Sequence, residues 1–178
     1  MCRARILLRE NEYVTIRLSA LHSAPDIKPD IKKENTMTLE SLQPIEAWAA
    51  LEKDLFAMFG FQGSVFNAQG ERLTPPKVWS NRLCPKIKSS QKGQSFICAA
   101  AQMNMTNKAR EAGEPVIDKC DAGLAKFVVP IFFKGEFLGV AGGCGCLTQG
   151  EEVDIFAVHK LIEISEEKVS GLALDVPR

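Results

Sequence analysis

Two extended apolar runs separated only by a short turn constrain this chain more than any other feature. Leu124–Phe133 is rich in Val, Ile and Phe, Lys134 and Gly135 supply the turn, and Phe137–Cys146 continues as a second extended run. The pattern predicts a β-hairpin. A two-residue turn pairs Phe133 with Glu136, Ile131 with Leu138, Val129 with Val140, Phe127 with Gly142 and Ala125 with Cys144. In a regular strand Cys144 and Cys146 then point to one face, while Gly139, Ala141, Gly143 and Gly145 leave the other nearly bare. A bare face invites close approach by a ligand, a helix or another backbone. A bulge at Gly135 would slip the register by one residue and move every side chain across the sheet.

The rest of the chain reads as a covering for that hairpin. Ile45, Trp48, Leu51, Leu55, Met58 and Phe59 recur at helical steps between Pro44 and Gly60, predicting an amphipathic helix. Gln62–Asn67 and Glu71–Thr74 flank a turn at 68–70 and suit a short hairpin stopped by Pro75 and Pro76. A short helical turn near Pro85 and a helix over Ser95–Glu111, with Ser95 as N-cap and Gly113 as stop, form a helical middle. Val116–Lys119 is a brief strand, and Glu151–Val169 a closing helix with Val153, Phe156, Ala157, Leu161 and Ile164 on one side. This order predicts an α+β fold with an antiparallel sheet covered by helices. It resembles the PAS-type arrangement, in which a five-stranded antiparallel sheet and flanking helices enclose a small-molecule cavity.

At 178 residues with 46% hydrophobic and 25% charged content, the chain suits one soluble domain. Residues 1–37 mix polar and charged types around proline and predict a flexible tail, or an over-called start with Met37 as the true one. The domain is expected over 38–170, with a short C-terminal tail at 171–178. Twenty-two basic residues cancel twenty-two acidic ones, which argues against direct nucleic-acid binding or an anionic membrane surface. No apolar run reaches the ~18 residues of a membrane span, and the N-terminus has no secretory h-region. The expected location is cytoplasmic, where cysteines are thiols, metal ligands or redox sensors more often than disulfides.

Four segments carry a family resemblance: LCPKIKSS at Leu83–Ser90, FICAAAQ at Phe96–Gln102, PVIDKCDAGL at Pro115–Leu124, and the following FVVPIFFKGEFLGVAGG. Together they resemble the PocR sensory-domain family over roughly Leu39–Leu161. The family pattern places one cysteine after the first hairpin, one on the next helix and one in a C-x-A-G-L element before a V-P-I strand, a G-E turn and L-G. Cys84, Cys98, Cys120, Ala122, Gly123, Leu124, Pro130, Ile131, Gly135, Glu136, Leu138 and Gly139 match it. The resemblance implies a PAS-like domain of bacterial signal transduction that senses small organic compounds and is usually joined to a DNA-binding or signalling module. Asp121 stands where family members commonly carry histidine. Only nine residues follow Val169, so a separate output protein is the expected partner, with oligomers also compatible.

The thiols are the richest site chemistry. Cys84 precedes Pro85, at an N-cap where a helix dipole favours a thiolate. Cys84, Cys98, Cys120, Cys144 and Cys146 fall on four elements that this fold can bring together, and are the candidate metal ligands. All-cysteine coordination suits zinc or an iron–sulfur cluster; a buried reduced or reversibly oxidised thiol group is the competing reading. Phe66, Trp79, Asp121, Phe127 and Phe132 are the candidate ligand-binding residues, although each aromatic serves equally well as core. His159, on the closing helix, reads as a solvated or packed histidine. The expectation is therefore a binding protein without turnover. A redox enzyme or thiol switch using Cys144 and Cys146 is the alternative.

Overall fold

The computed structural model describes residues 3–9, 12–17, 37–76 and 78–178. The chain divides into two units, Met1–Met37 and Thr38–Arg178. In the first, β1 (Arg3–Arg9) and β2 (Glu12–Arg17) pair antiparallel; most of the expected flexible tail otherwise lies outside the described residues.

The second unit opens with a helical turn, α1 (Leu39–Leu42), where Thr38 Oγ1 accepts from the Ser41 N–H and Ser41 Oγ accepts from the Thr38 N–H. This reciprocal cap satisfies two otherwise orphaned donors. Leu39 is fully buried, and its carbonyl accepts a 3.0 Å hydrogen bond from Trp48 Nε1 on α2 (Ile45–Phe59). Helix α2 ends as expected at Gly60, in the left-handed conformation. It crosses β3 (Gln62–Asn67) so closely that a Cβ on Gly63 would stand 2.6 Å from the Glu52 Cα.

In this second unit one antiparallel sheet has the order β3-β6-β5-β4, with β4 at Val116–Lys119, β5 at Ala125–Phe133 and β6 at Glu136–Cys146. It has four strands rather than the five expected. Glu71–Thr74 forms only one bridge, Phe66 to Arg72, because side chains occupy the outer edge of β3. Glu52 Oε1 accepts from the Val65 N–H at 3.0 Å, and Arg72 donates to the Gly63 carbonyl at 2.8 Å. These groups satisfy ladder positions that a partner strand would otherwise fill.

The central hairpin turns at Lys134–Gly135, with Phe133 opposite Glu136. The register then departs from expectation twice. Ile131 pairs with Gly139 instead of Leu138, and Ala125 with Cys146 instead of Cys144. The slips are bulges at Gly139 (φ 148°) and Gly145 (φ 106°), conformations that glycine tolerates.

On one face of the sheet lies α2, with Phe61 edge-on to Phe127 at 5.2 Å between ring centres. On the other lie α3 (Leu83–Lys88), a π-helical segment (Gly93–Ala99) and α4 (Ala100–Ala112). The expected Ser95 cap is absent: the helix enters earlier, through the wide π turns. Met105 and Ala109 of α4 pack on Val128 and Val140. The closing helix is two: α5 (Ile155–Ile162) stops where Glu163 turns left-handed, and Ser165 Oγ accepts from the Lys168 N–H to start α6 (Glu166–Ala173).

Leu83, Ile87, Ile97, Leu124, Val158, Ile162 and Val169 form a second core, each burial being worth roughly 1.5–3 kcal/mol. Residues 171–178 are packed rather than a free tail. Val176 is buried in that core, and the Leu147 N–H donates to the Pro177 carbonyl at 2.8 Å. Among the described residues no helix is long and apolar enough to cross a membrane.

Candidate functional site

Between the sheet and the helical layer on its α4 side is a cavity of about 640 Å³. The register explains its floor. Gln62, Cys144 and Lys126 are successive cross-strand partners on β3, β6 and β5, so their side chains form one row on one face. The roof is the π-helical segment with the start of α4, including Phe96, Ile97, Cys98, Ala101 and Gln102. π turns recur at functional sites because they widen the helix and re-aim side chains. Gly93 lets this segment approach α3: a Cβ there would stand 2.3 Å from the Ile87 carbonyl oxygen.

Four of the five candidate cysteines line this cavity: Cys84, Cys98, Cys120 and Cys144. Their charges would be mutually felt. Burial raises the Cys84 thiol, with the neighbouring Cys144, Cys120 and Cys98 adding to the rise. Cys84 sits within the first turn of α3 rather than at the expected N-cap, and Asn81 fixes it. Asn81 Oδ1 accepts from the Cys84 N–H at 2.7 Å, while Asn81 Nδ2 lies 2.7 Å from the Gly145 carbonyl and 3.4 Å from Cys84 Sγ. Burial likewise pushes Cys98 up to about 11, partly opposed by Lys88, and raises Cys120. All three are therefore neutral thiols near neutral pH.

Cys146 does not join them. The bulge at Gly145 places Cys144 opposite Lys126 and Cys146 opposite Ala125, so the expected shared face is lost. Cys146 Sγ lies 3.6 Å from the Gly60 carbonyl at the end of α2, and burial pushes its thiol up to about 11. Among the described residues no three His, Cys, Asp or Glu side chains are arranged to hold a metal ion.

Of the five expected ligand-binding residues, Phe66 lines the cavity. Phe127 is on the α2 face against Phe61, Phe132 is exposed and edge-on to Phe137, Asp121 is exposed, and Trp79 lies under the Lys88 ammonium, 5.4 Å from its ring centre. None of these four lines the cavity. His159 is held by the Ile164 carbonyl, 2.6 Å from Nδ1, which accords with a packed histidine.

Three polar residues lie outside the expected site set. Gln62, Gln102 and Lys126 are 3%, 8% and 8% exposed, and all line the cavity. Both amide atoms of Gln62 and Oε1 of Gln102 are buried without a hydrogen-bond partner. One signal was available: Lys126 is the sole charge in the otherwise apolar strand AKFVVPIFF.

The sequence model of the sensory domain found in PocR matches residues 42–178. No curated protein and no solved structure matches the chain.

Proposed function

The chain belongs to the family of the sensory domain found in PocR, and from that premise we propose that it binds a small organic molecule in the thiol-lined cavity and passes its presence to a signalling output. The observation that carries this reading is a cavity of about 640 Å³ lined by Gln62 and Gln102, two residues with buried, unpartnered polar atoms. A buried polar group without a partner is costly, and a mostly apolar pocket with a few convergent polar groups is the usual form of a small-molecule site. Binding rather than turnover is favoured because burial keeps the Cys84, Cys98 and Cys120 thiols protonated, while the thiolate is the reactive form.

The test is a thermal-shift screen of small organic compounds against the full chain and against Ala101→Met, which fills the cavity from α4. Compounds that stabilise the parent should leave the variant unmoved. Equal stabilisation of both would sink the assignment of binding to this cavity.

The four converging thiols favour a second reading, a cysteine-ligated centre held by Cys84, Cys98, Cys120 and Cys144. A single zinc ion needs four sulfurs at ~2.3 Å from one point, and these side chains are not so arranged. An iron–sulfur cluster held by cysteine thiolates would supply redox or gas sensing. Metal and sulfide analysis of chain purified without oxygen separates the cases. Iron with sulfide supports the cluster, stoichiometric zinc a structural ion, and neither returns the thiols to packing.

A further inference from the structure

Charge is placed unevenly in this cavity. The whole chain carries 22 basic and 22 acidic residues, yet the cavity wall includes Arg72, Lys88 and Lys126 and no aspartate, glutamate or histidine. Two of the three cations are engaged. Arg72 pairs with Glu52 at 3.3 Å, and Lys88 stands over Trp79. Lys126 is 8% exposed, and among the described residues no hydrogen bond or ion pair holds its ammonium. Its cross-strand neighbour Asp118 is turned to the surface, where Lys108 Nζ lies 3.2 Å away. A mostly buried lysine without a paired carboxylate leaves its charge available to an anion in the cavity it lines.

The geometry points to a small monocarboxylate as the ligand of this cavity. Its carboxylate meets the Lys126 ammonium and accepts from Gln62 Nε2. A hydroxyl or amide hydrogen elsewhere on the molecule donates to Gln62 Oε1 or Gln102 Oε1, and its apolar part lies against Ile97 and Leu124. One carboxylate charge offsets the Lys126 ammonium, while the Lys88 charge stays over the Trp79 ring. This assignment rests on the reading of the cavity as a ligand site, and specifies what that site selects.

Isothermal titration of the full chain with two isosteric pairs tests it: propionate against propionamide, and benzoate against benzamide. Each carboxylate should bind about tenfold or more tightly than its amide. Lys126→Met should bring each pair within about twofold, and Lys126→Gln gives the same readout should the first variant fail to fold. Equal binding of acid and amide to the parent, or a preference that survives both variants, overturns the monocarboxylate while leaving the ligand cavity standing. Binding confined to uncharged probes such as propanol or propanediol does the same. An iron–sulfur cluster that fills the cavity and excludes all the probes overturns the small-ligand reading as well.

Discussion

Cys144 and Cys146 stand two residues apart on one strand yet face opposite sides of the sheet, because Gly145 between them is bulged. Cys144 is opposite Lys126 and lines the cavity, whereas Cys146 is opposite Ala125 and lies against the end of α2. The bulge therefore sets which thiols the cavity contains. It also separates the two sulfurs that a C-x-C redox pair would use.

Gly145→Ala should disrupt this arrangement. The residue has φ 106°, and an added Cβ would stand 3.0 Å from Ser80 Cβ. A loss of roughly 1–3 kcal/mol in urea unfolding is expected. Gly171→Ala, on α6 with open space around the new methyl, should be neutral or stabilising by up to about 1 kcal/mol. Equal effects at both positions would remove the bulge from this account.

The first unit of the hairpin was legible in the sequence because it is local: Lys134–Gly135 fixes Phe133 opposite Glu136 and Phe132 opposite Phe137. The slip at Gly139 is not local. It accompanies the approach of Phe66 and Leu39, whose atoms crowd the position of a Cβ there, and neither is near in sequence. The missing fifth strand has the same origin, since the edge of β3 is closed by Glu52 from a helix and by the Arg72 side chain. Four cysteines were identifiable from type and family pattern. Gln62 was not, because an amide at the start of a strand reads as surface until the tertiary structure buries it.

Glu52 is the edge's main acceptor, receiving the Val65 N–H, Thr74 Oγ1 and Arg72 guanidinium at 3.0, 2.5 and 3.3 Å. Glu52→Ala should cost roughly 3 kcal/mol by leaving a donor and a mostly buried cation unpaired. Glu52→Gln, which keeps an acceptor, should cost less. Chemical denaturation of the two variants checks the order.

Gln62→Leu should separate stability from function. It removes two buried, unpartnered polar atoms, so the ligand-free chain should be stabilised by about 1–2 kcal/mol. The same change should weaken propionate binding. Destabilisation together with unaltered binding would show that Gln62 serves packing alone.

The metal-free chain should lose stability in alkali. Cys98 is pushed from an ordinary 9.0 to about 11, chiefly by burial, and Cys84 and Cys120 are also raised. Above pH 9 the unfolded thiols ionise while the folded ones stay protonated, so unfolding releases protons and stability falls as pH rises. The contribution of Cys98 is present in full below pH 9 and lost by about pH 11. Denaturation midpoints measured from pH 7 to 11 should show that fall, and Cys98→Ala should reduce its slope.

The central claim is that the ligand occupies the cavity on the thiol-bearing side of the sheet. Methyl-labelled methionine reports on it directly: Met103 lines the cavity, Met105 is buried beside it on α4, and Met58 is exposed on α2 across the sheet. In an NMR titration with propionate, the Met103 and Met105 methyl signals should move saturably together while Met58 stays fixed. Saturable binding that moves Met58 and leaves Met103 and Met105 in place would contradict the account.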